Sequence, residues 1–133
     1  MVERVQRRFT KSLPGMRNVS YLDRLETLQL ESLESRRIYF DLLFLFKIIH
    51  NHIDLQWRDL FEFSSSSTRG HSFKINVQYS RVNCRKYFFI NRITPIWNNL
   101  PNNVVESTSI WQFRSLLKSL DLNVYCRGRA HMA

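Results

Sequence analysis

The chain opens with an amphipathic pattern over residues 2–13. At about 100° per residue, one narrow arc holds four apolar residues, Val2, Val5, Phe9 and Leu13. The opposite arc holds four cations, Arg4, Arg7, Arg8 and Lys11. The spacing predicts a helix that ends at Pro14-Gly15, with a basic face opposite its apolar one. Those cations either contact an anionic partner or form a solvated helix face.

Two further helices are predicted in the first half. Ser20-Tyr21-Leu22-Asp23 resembles a capping box and opens a short helix of about two turns. Ser32 is the predicted N-cap of a core helix over about residues 33–52. On its polar side, Arg37 and Asp41 stand one turn apart and are expected to pair. Its broad apolar face consists of Ile38, Leu42, Leu45, Phe46, Ile49 and Ile53, widened by Tyr39 and Leu43.

The pattern changes around a four-serine run at residues 64–67, which we interpret as a flexible joint. Before it, residues 55–62 have the composition of one or two more helical turns. After it, apolar and polar residues alternate over residues 73–79, which is the period of a strand. Residues 87–90 (YFFI) are either a partner strand or the start of a helix, and the pattern does not decide between them.

Helical signals return toward the end. Thr94-Pro95 places an N-cap residue before an N1 proline, which predicts a short helix over residues 96–100. Residues 109–112 (SIWQ) form a capping box that opens a final amphipathic helix through about Leu120. Its inward-facing residues are predicted to be Ile110, Phe113, Leu116, Leu117 and Leu120.

These elements predict a mainly α fold, a small helical domain with a short β-hairpin or extended segment near residues 72–90. Residues 1–63 form the helical part with the basic first helix, and residues 64–68 form the serine-rich joint. Residues 69–120 hold a basic aromatic segment and the last helix, before a frayed tail at 121–133. We expect one compact domain, because a chain of 133 residues supports a single core.

The second half of the chain is strongly basic. The protein carries 20 Lys and Arg against 11 Asp and Glu, a net charge of +9 with His neutral. Residues 1–63 hold 10 basic and 9 acidic groups, whereas residues 64–133 hold 10 basic groups and only Glu106 and Asp121. Arg outnumbers Lys 15 to 5, and its planar guanidinium binds phosphate in a bidentate manner. This bias favours a polyanionic partner.

No catalytic or metal site can be assembled from the pattern. Two-metal chemistry needs converging carboxylates, and the basic half has only two, in different elements. His50 and His52 stand two apart on a helix and therefore point away from each other. Cys84 lies beside Arg81 and Arg85 without a base partner, so it is a reactive or merely buried thiol. We expect no enzyme activity, no cofactor and no metal.

Two lone cysteines, Cys84 and Cys126, indicate free thiols in a reducing compartment. The N-terminus lacks the apolar region of a secretory signal. The longest apolar run, residues 42–46, is far shorter than the about 20 residues that span a bilayer. We expect an intracellular protein, in the nucleus or the cytoplasm, without a membrane partner.

Between residues 69 and 92 the chain is cationic and aromatic. This stretch has six cations and no acid: Arg69, Lys74, Arg81, Arg85, Lys86 and Arg92. Exposed rings here would stack on unpaired bases, but we favour core positions for Phe73, Tyr87, Phe88, Phe89 and Trp97. The predicted nucleic-acid-binding residues are therefore these six cations together with the four of the first helix.

Short strings along the chain resemble a known family. They include residues 5–11 (VQRRFTK), residues 68–71 (TRGH), Phe88-Phe89 followed by Asn91-Arg92, and residues 97–101 (WNNLP). In this order, over about residues 2–120, the chain resembles the stretch just beyond the polymerase region of jockey-type non-LTR retrotransposons.

The resemblance implies a thumb-proximal, C-terminal part of a reverse transcriptase, an RNA-directed DNA polymerase. The catalytic aspartates of that family lie upstream in an FADD or YADD motif, which does not occur here. A non-catalytic fragment is therefore implied, with element RNA, a template–primer or the upstream polymerase domain as partner. The alternatives are a structural or protein-interaction module that buttresses an absent polymerase core, and a stand-alone enzyme, for which no acid–base constellation is visible.

Overall fold

The computed structural model describes residues 2–65, 69–86 and 88–126, apart from the side chains of Val2 and Lys86. Within these ranges the chain is mainly α with almost no strand, which confirms the predicted fold class. The helices are α1 (Val2–Ser12), α2 (Tyr21–Thr27), α3 (Leu33–Ile49), α4 (Asn83–Lys86), α5 (Phe89–Asn98), α6 (Asn102–Val105) and α7 (Ile110–Ser119). Short 3₁₀ turns cover Trp57–Asp59 and Leu122–Tyr125.

The chain divides into two compact units. Unit 1 comprises Met1–Tyr39 and Asp121–Ala133, and unit 2 comprises Phe40–Leu120. The boundary lies inside α3 and not at the serine-rich residues 64–68, where the sequence predicts a joint. Buried apolar residues of α3 lie on both sides of this boundary, Ile38 in unit 1 and Leu42 and Leu45 in unit 2.

Unit 1 contains α1, α2 and the beginning of α3. Ser20 accepts the backbone N–H of Asp23 (3.2 Å) at the start of α2, as predicted. Ser32 accepts the N–H of Ser35 (3.1 Å) at the start of α3, so the second predicted cap is also present. α2 ends where Gln29 adopts a left-handed backbone with φ 54°.

The last described residues belong to unit 1 as well. The prediction of a frayed tail is wrong for residues 121–126, because Leu122 and Cys126 are buried and Asp121 caps the 3₁₀ turn by accepting the Asn123 N–H (3.1 Å). Residues 127–133, the rest of the predicted tail, lie outside the described residues.

Unit 2 is built around the remainder of α3. The predicted apolar face is buried over Leu42, Leu43, Leu45, Phe46 and Ile49, with Ile48 in addition. Tyr39 and Ile53, also assigned to this face, are half-buried, and Ile53 lies beyond the end of the helix. The helix ends at Ile49, earlier than predicted, because Asn51 adopts a left-handed backbone and the His52 N–H returns to Lys47 O (2.8 Å). Phe46 of α3 stacks on Phe113 of α7 with ring centroids 4.1 Å apart.

The predicted extended segment pairs differently from a hairpin with residues 87–90. Phe63 and Ile75 form an isolated antiparallel bridge, flanked by a hydrogen bond from Ser64 N to Lys74 O (2.7 Å). The side-chain amide of Asn98 in α5 holds both the N–H and the C=O of Ile75 (2.9 Å each). The strand alternative for residues 87–90 is wrong, because Phe89 and Ile90 begin α5; Tyr87 lies outside the described residues.

The predicted helix start at Thr94-Pro95 is also wrong. Both residues lie inside α5, which begins at Phe89. The buried Thr94 hydroxyl donates to Ile90 O (2.6 Å), one turn back, and so does not cap anything. By contrast, Ser109 caps α7 as predicted, accepting the N–H of Gln112 (3.2 Å).

Candidate nucleic-acid interface

The α1 helix packs in unit 1 through its polar side. The Glu3 carboxylate accepts a hydrogen bond from the Tyr21 hydroxyl and another from the Glu34 N–H (3.1 Å) at the start of α3. Gln6 donates to Glu31 O (2.9 Å). Thr10, which is fully buried, accepts from the guanidinium of the buried Arg24. These contacts fix which face of α1 is turned inward.

The apolar side of α1 consequently faces solvent. Val5 is 68% exposed and Phe9 is 62% exposed. Most amphipathic helices of globular proteins bury this side and expose the other. The exposed apolar stripe lies beside the basic residues, because Val5 and Phe9 line the same open surface as Arg4, Arg8 and Lys11.

Three of the four predicted cations of α1 are exposed. They are Arg4, Arg8 and Lys11, which we call the α1 cation row. Among the described residues no carboxylate lies within ion-pair distance of this row. Arg7 differs, because it is half-buried with its guanidinium carbon 4.8 Å from the centroid of the Tyr21 ring. The row presents three unneutralised charges on two adjacent turns of one helix.

The second predicted set of cations lies in unit 2 and is less uniform. Arg69, Arg81 and Arg85 are exposed, and Lys74 is half-buried beside Gly70. Gly70 has φ +90°, and a Cβ there would lie 2.8 Å from Lys74 Cε. The side chain of Lys86 lies outside the described residues. Among the predicted cations of this segment, the exposed three are therefore the ones open to a partner.

Arg92 is engaged elsewhere. Its guanidinium donates to Asp41 Oδ2 through Nη2 (2.6 Å) and Nε (3.1 Å), joining α5 to α3 within unit 2. The sequence predicts Arg37 as the partner of Asp41 and phosphate as the partner of Arg92. Both predictions are corrected here: the contact is an interhelical ion pair, which the linear spacing of 51 residues conceals.

The rings of the segment divide between core and surface. Trp97 is fully buried and donates its indole N–H to Phe73 O (2.9 Å), while Phe73 and Phe89 are half-buried. The prediction of a core position is wrong for Phe88, which is 55% exposed. Tyr79 is 97% exposed, and nothing in the alternation of residues 73–79 predicts that. Exposed rings beside cations are the usual contacts of unpaired bases.

A small cleft in unit 2 brings distant residues together. It has a volume of about 260 Å³ and is lined at one side by the segment around Arg58 and Glu62. The rest of its lining comes from Gln78, Arg85, Phe88, Ile90 and Asn91. These residues are up to 33 positions apart, so only the fold reveals the cleft, and no sequence signal assigns a site role to Arg58, Gln78 or Asn91.

His50 and His71 are placed as packing residues. His71 is buried, and its Nε2–H donates to Trp97 O (2.9 Å). Burial lowers the pKa of His71, and burial also lowers the pKa of His50, whose ring centroid lies 4.2 Å from that of Phe46 with the two rings tilted by 35°. Among the described residues, no three His, Cys, Asp or Glu side chains are grouped as metal ligands.

The two thiols differ in environment. Cys84 is exposed on α4, and Cys126 is buried in unit 1. Burial raises the pKa of the Cys126 thiol, with the Glu34 carboxylate contributing in the same direction. Because Cys84 is exposed, the prediction that it is merely a buried thiol is excluded.

Comparison of the chain with protein-family models, curated proteins and solved structures finds no match. Across the described parts of the chain, no helix combines the length and the apolar character needed to cross a bilayer.

Proposed function

We propose that this protein binds nucleic acid without catalysing a reaction, as a C-terminal fragment of a retrotransposon reverse transcriptase. Element RNA or a DNA template–primer is the partner that this origin implies. The α1 cation row is the observation that carries the proposal. Three exposed cations at positions i, i+4 and i+7, without a carboxylate partner among the described residues, suit the repeated phosphates of a nucleic-acid strand.

Unit 2 supports the same function with different groups. Arg81 and Arg85 are exposed in the stretch that also exposes Tyr79 and Phe88. Guanidinium groups neutralise phosphates, and exposed rings stack on bases that are not already paired. A single-stranded RNA or DNA uses both kinds of contact, whereas a closed duplex uses mainly the first.

The test is fluorescence-anisotropy binding of a labelled single-stranded RNA at low salt. Substitution of the α1 cation row by glutamine (R4Q, R8Q and K11Q together) is expected to weaken binding about tenfold or more. The matched control substitutes Arg17, Arg36 and Arg37, three exposed arginines of unit 1, by glutamine. It removes the same net charge, so a smaller effect locates the contact on α1. Equal effects of both triple variants, or no binding by the wild type, would contradict the proposal.

The exposed stripe of α1 favours a second candidate function. Val5 and Phe9 are large apolar side chains on one face, as in helices that dock into a groove of a protein partner. A structural module that buttresses a polymerase core would need such a surface. Concentration-dependent self-association in sedimentation velocity, abolished by Val5→Gln with Phe9→Gln and without RNA affinity, would favour this candidate over nucleic-acid binding.

A further inference from the structure

The cleft of unit 2 combines opposite charges with a ring. Its lining residues include two arginines, Arg58 and Arg85, and two acidic residues, Asp59 and Glu62. The Arg58 guanidinium carbon also lies 5.3 Å from the centroid of the Trp57 ring, so this charge is already stacked. The cleft is therefore formally neutral at pH 7, unlike the basic surface around it. A phosphate group would meet two acidic residues as well as the two arginines here, so the charge of the cleft does not favour it.

The remaining walls suit a flat heterocycle. Phe88, which is 55% exposed, lines the cleft together with two residues that carry side-chain amides, Gln78 and Asn91. The Asn91 amide already donates to Arg85 O (2.7 Å), which fixes the position of that side chain and leaves its oxygen as an acceptor. Ring stacking together with amide and carboxylate acceptors is the pattern that recognises base edges.

The cleft is held on both sides by backbone contacts. The Asn76 N–H donates to Glu62 O (2.8 Å), which ties the segment leading to Gln78 to the wall that carries the carboxylates. On the other side, the Phe88 N–H donates to Arg85 O (3.3 Å) at the turn between α4 and α5. The first contact joins two walls of the cleft, and the second, with the Asn91 amide, fixes the turn that forms the third.

We propose that this cleft binds one unpaired nucleobase that carries an exocyclic amine, such as adenine or cytosine. The base stacks on Phe88 and its amine donates to the carboxylate of Glu62 or Asp59. Uracil lacks the amine and presents carbonyl oxygens to those carboxylates, so it is disfavoured. This inference rests on the proposed function and deepens it by naming the part of the nucleic acid that unit 2 contacts.

The first test is NMR titration of the full chain with adenosine 5′-monophosphate, uridine 5′-monophosphate and ribose 5-phosphate. The side-chain amide signals of Gln78 and Asn91 report on the cleft directly. We expect saturable shifts with the adenosine nucleotide, weaker binding of the uridine nucleotide, and no such shifts with ribose 5-phosphate. Equal shifts with ribose 5-phosphate would show a phosphate contact only and would overturn the proposal.

Two variants locate the contact. Phe88→Leu keeps an apolar side chain but removes the aromatic face, and should weaken adenosine-nucleotide binding about fivefold or more. Glu62→Gln should reduce the preference for adenosine over uridine. The control is Trp111→Ala, which removes an exposed ring of α7 that does not line the cleft and should leave binding within about twofold. Unchanged binding by F88L, or an equal loss in W111A, would refute the assignment.

The outcome is separable from that of the proposed function. Salt-sensitive RNA binding that depends on the α1 cation row, combined with no base-dependent shifts in unit 2, would refute the cleft assignment and leave the proposed function standing. Base-dependent shifts in unit 2, combined with no affinity of the whole chain for RNA, would refute the proposed function and leave the cleft assignment standing.

Discussion

Replacement of Glu3 by alanine should destabilise unit 1 far more than a surface substitution does. The Glu3 carboxylate accepts the Tyr21 hydroxyl and the Glu34 N–H, so one side chain connects α1 to both other helices of the unit. A hydrogen bond to a charged group contributes about 1.5–3 kcal/mol. Both contacts are only partly buried, so water replaces them in part after the substitution. We expect a loss of about 2 kcal/mol in the free energy of unfolding.

The measurement is urea unfolding followed by far-UV circular dichroism, with the midpoint and the slope fitted together. Glu26→Ala is the control, because Glu26 is an exposed acid of α2, and its loss should change stability by less than about 0.5 kcal/mol. A double-mutant cycle of Glu3→Ala with Tyr21→Phe should show non-additivity, because both remove the same hydrogen bond. An effect of E3A no larger than that of E26A would refute the role assigned to this carboxylate.

Three other outcomes follow from local geometry. Burial lowers the pKa of His71 in the folded protein. As the pH falls below about 6.5, this residue is therefore protonated in the unfolded chain while it stays neutral in the folded one. Wild-type stability should drop between pH 7 and pH 5, by at most about 1.4 kcal/mol per pH unit from this residue, and less steeply in His71→Gln; equal slopes would contradict this. Gln29→Gly should stabilise the protein by about 0.5–1 kcal/mol in urea unfolding, because glycine adopts φ 54° without strain; a loss of stability would contradict it. Burial, then the hydrogen bond to Glu3, raises the pKa of Tyr21 well above its usual range. Stability should therefore fall as the pH rises above about 10, a loss that Tyr21→Phe should reduce in alkaline titration followed by circular dichroism.

Local signals along the chain predicted most helices and several of their ends. Ser20, Ser32 and Ser109 cap the helices that they were predicted to cap, because a capping hydroxyl needs only residues within one turn. The sequence predicts the end of α3 too far along the chain, because an asparagine indicates a left-handed helix end less clearly than a glycine does. The helix start predicted at Thr94-Pro95 is wrong because the same two residues also fit a helix interior when the threonine hydroxyl donates to Ile90 O.

The orientation of α1 could not be predicted, although both of its faces could. Burial of Val5 and Phe9 would contribute roughly 1.5–3 kcal/mol each, which favours an inward apolar face. Instead, the opposite side of α1 packs inward, where the buried guanidinium of Arg24 donates hydrogen bonds to the Thr10 hydroxyl and to two backbone carbonyls. Such a network depends on residues from two helices, so no periodicity within α1 reports it.

The candidate site was predictable only as a list of charges. Arg4, Arg8 and Lys11 share their arc with Arg7, which is half-buried, and the ion pair of Arg92 with Asp41 depends on the packing of α5 against α3. The cleft of unit 2 joins residues that are distant in the chain. Its aromatic residue, Phe88, is predicted from the sequence to lie in the core but is exposed. A ring at a helix start has no sequence signal that separates a buried position from an exposed one.

The salt dependence of RNA affinity is the measurement on which the proposed function depends most. For single strands, each neutralised phosphate contributes about 0.7 to the slope of log K against log salt concentration. If the three cations of the α1 row each contact a phosphate, the triple glutamine variant should have a slope shallower by about 2 than the wild type. Identical slopes for the two proteins would mean that the α1 cation row touches no phosphate, and the proposed interface would then be wrong.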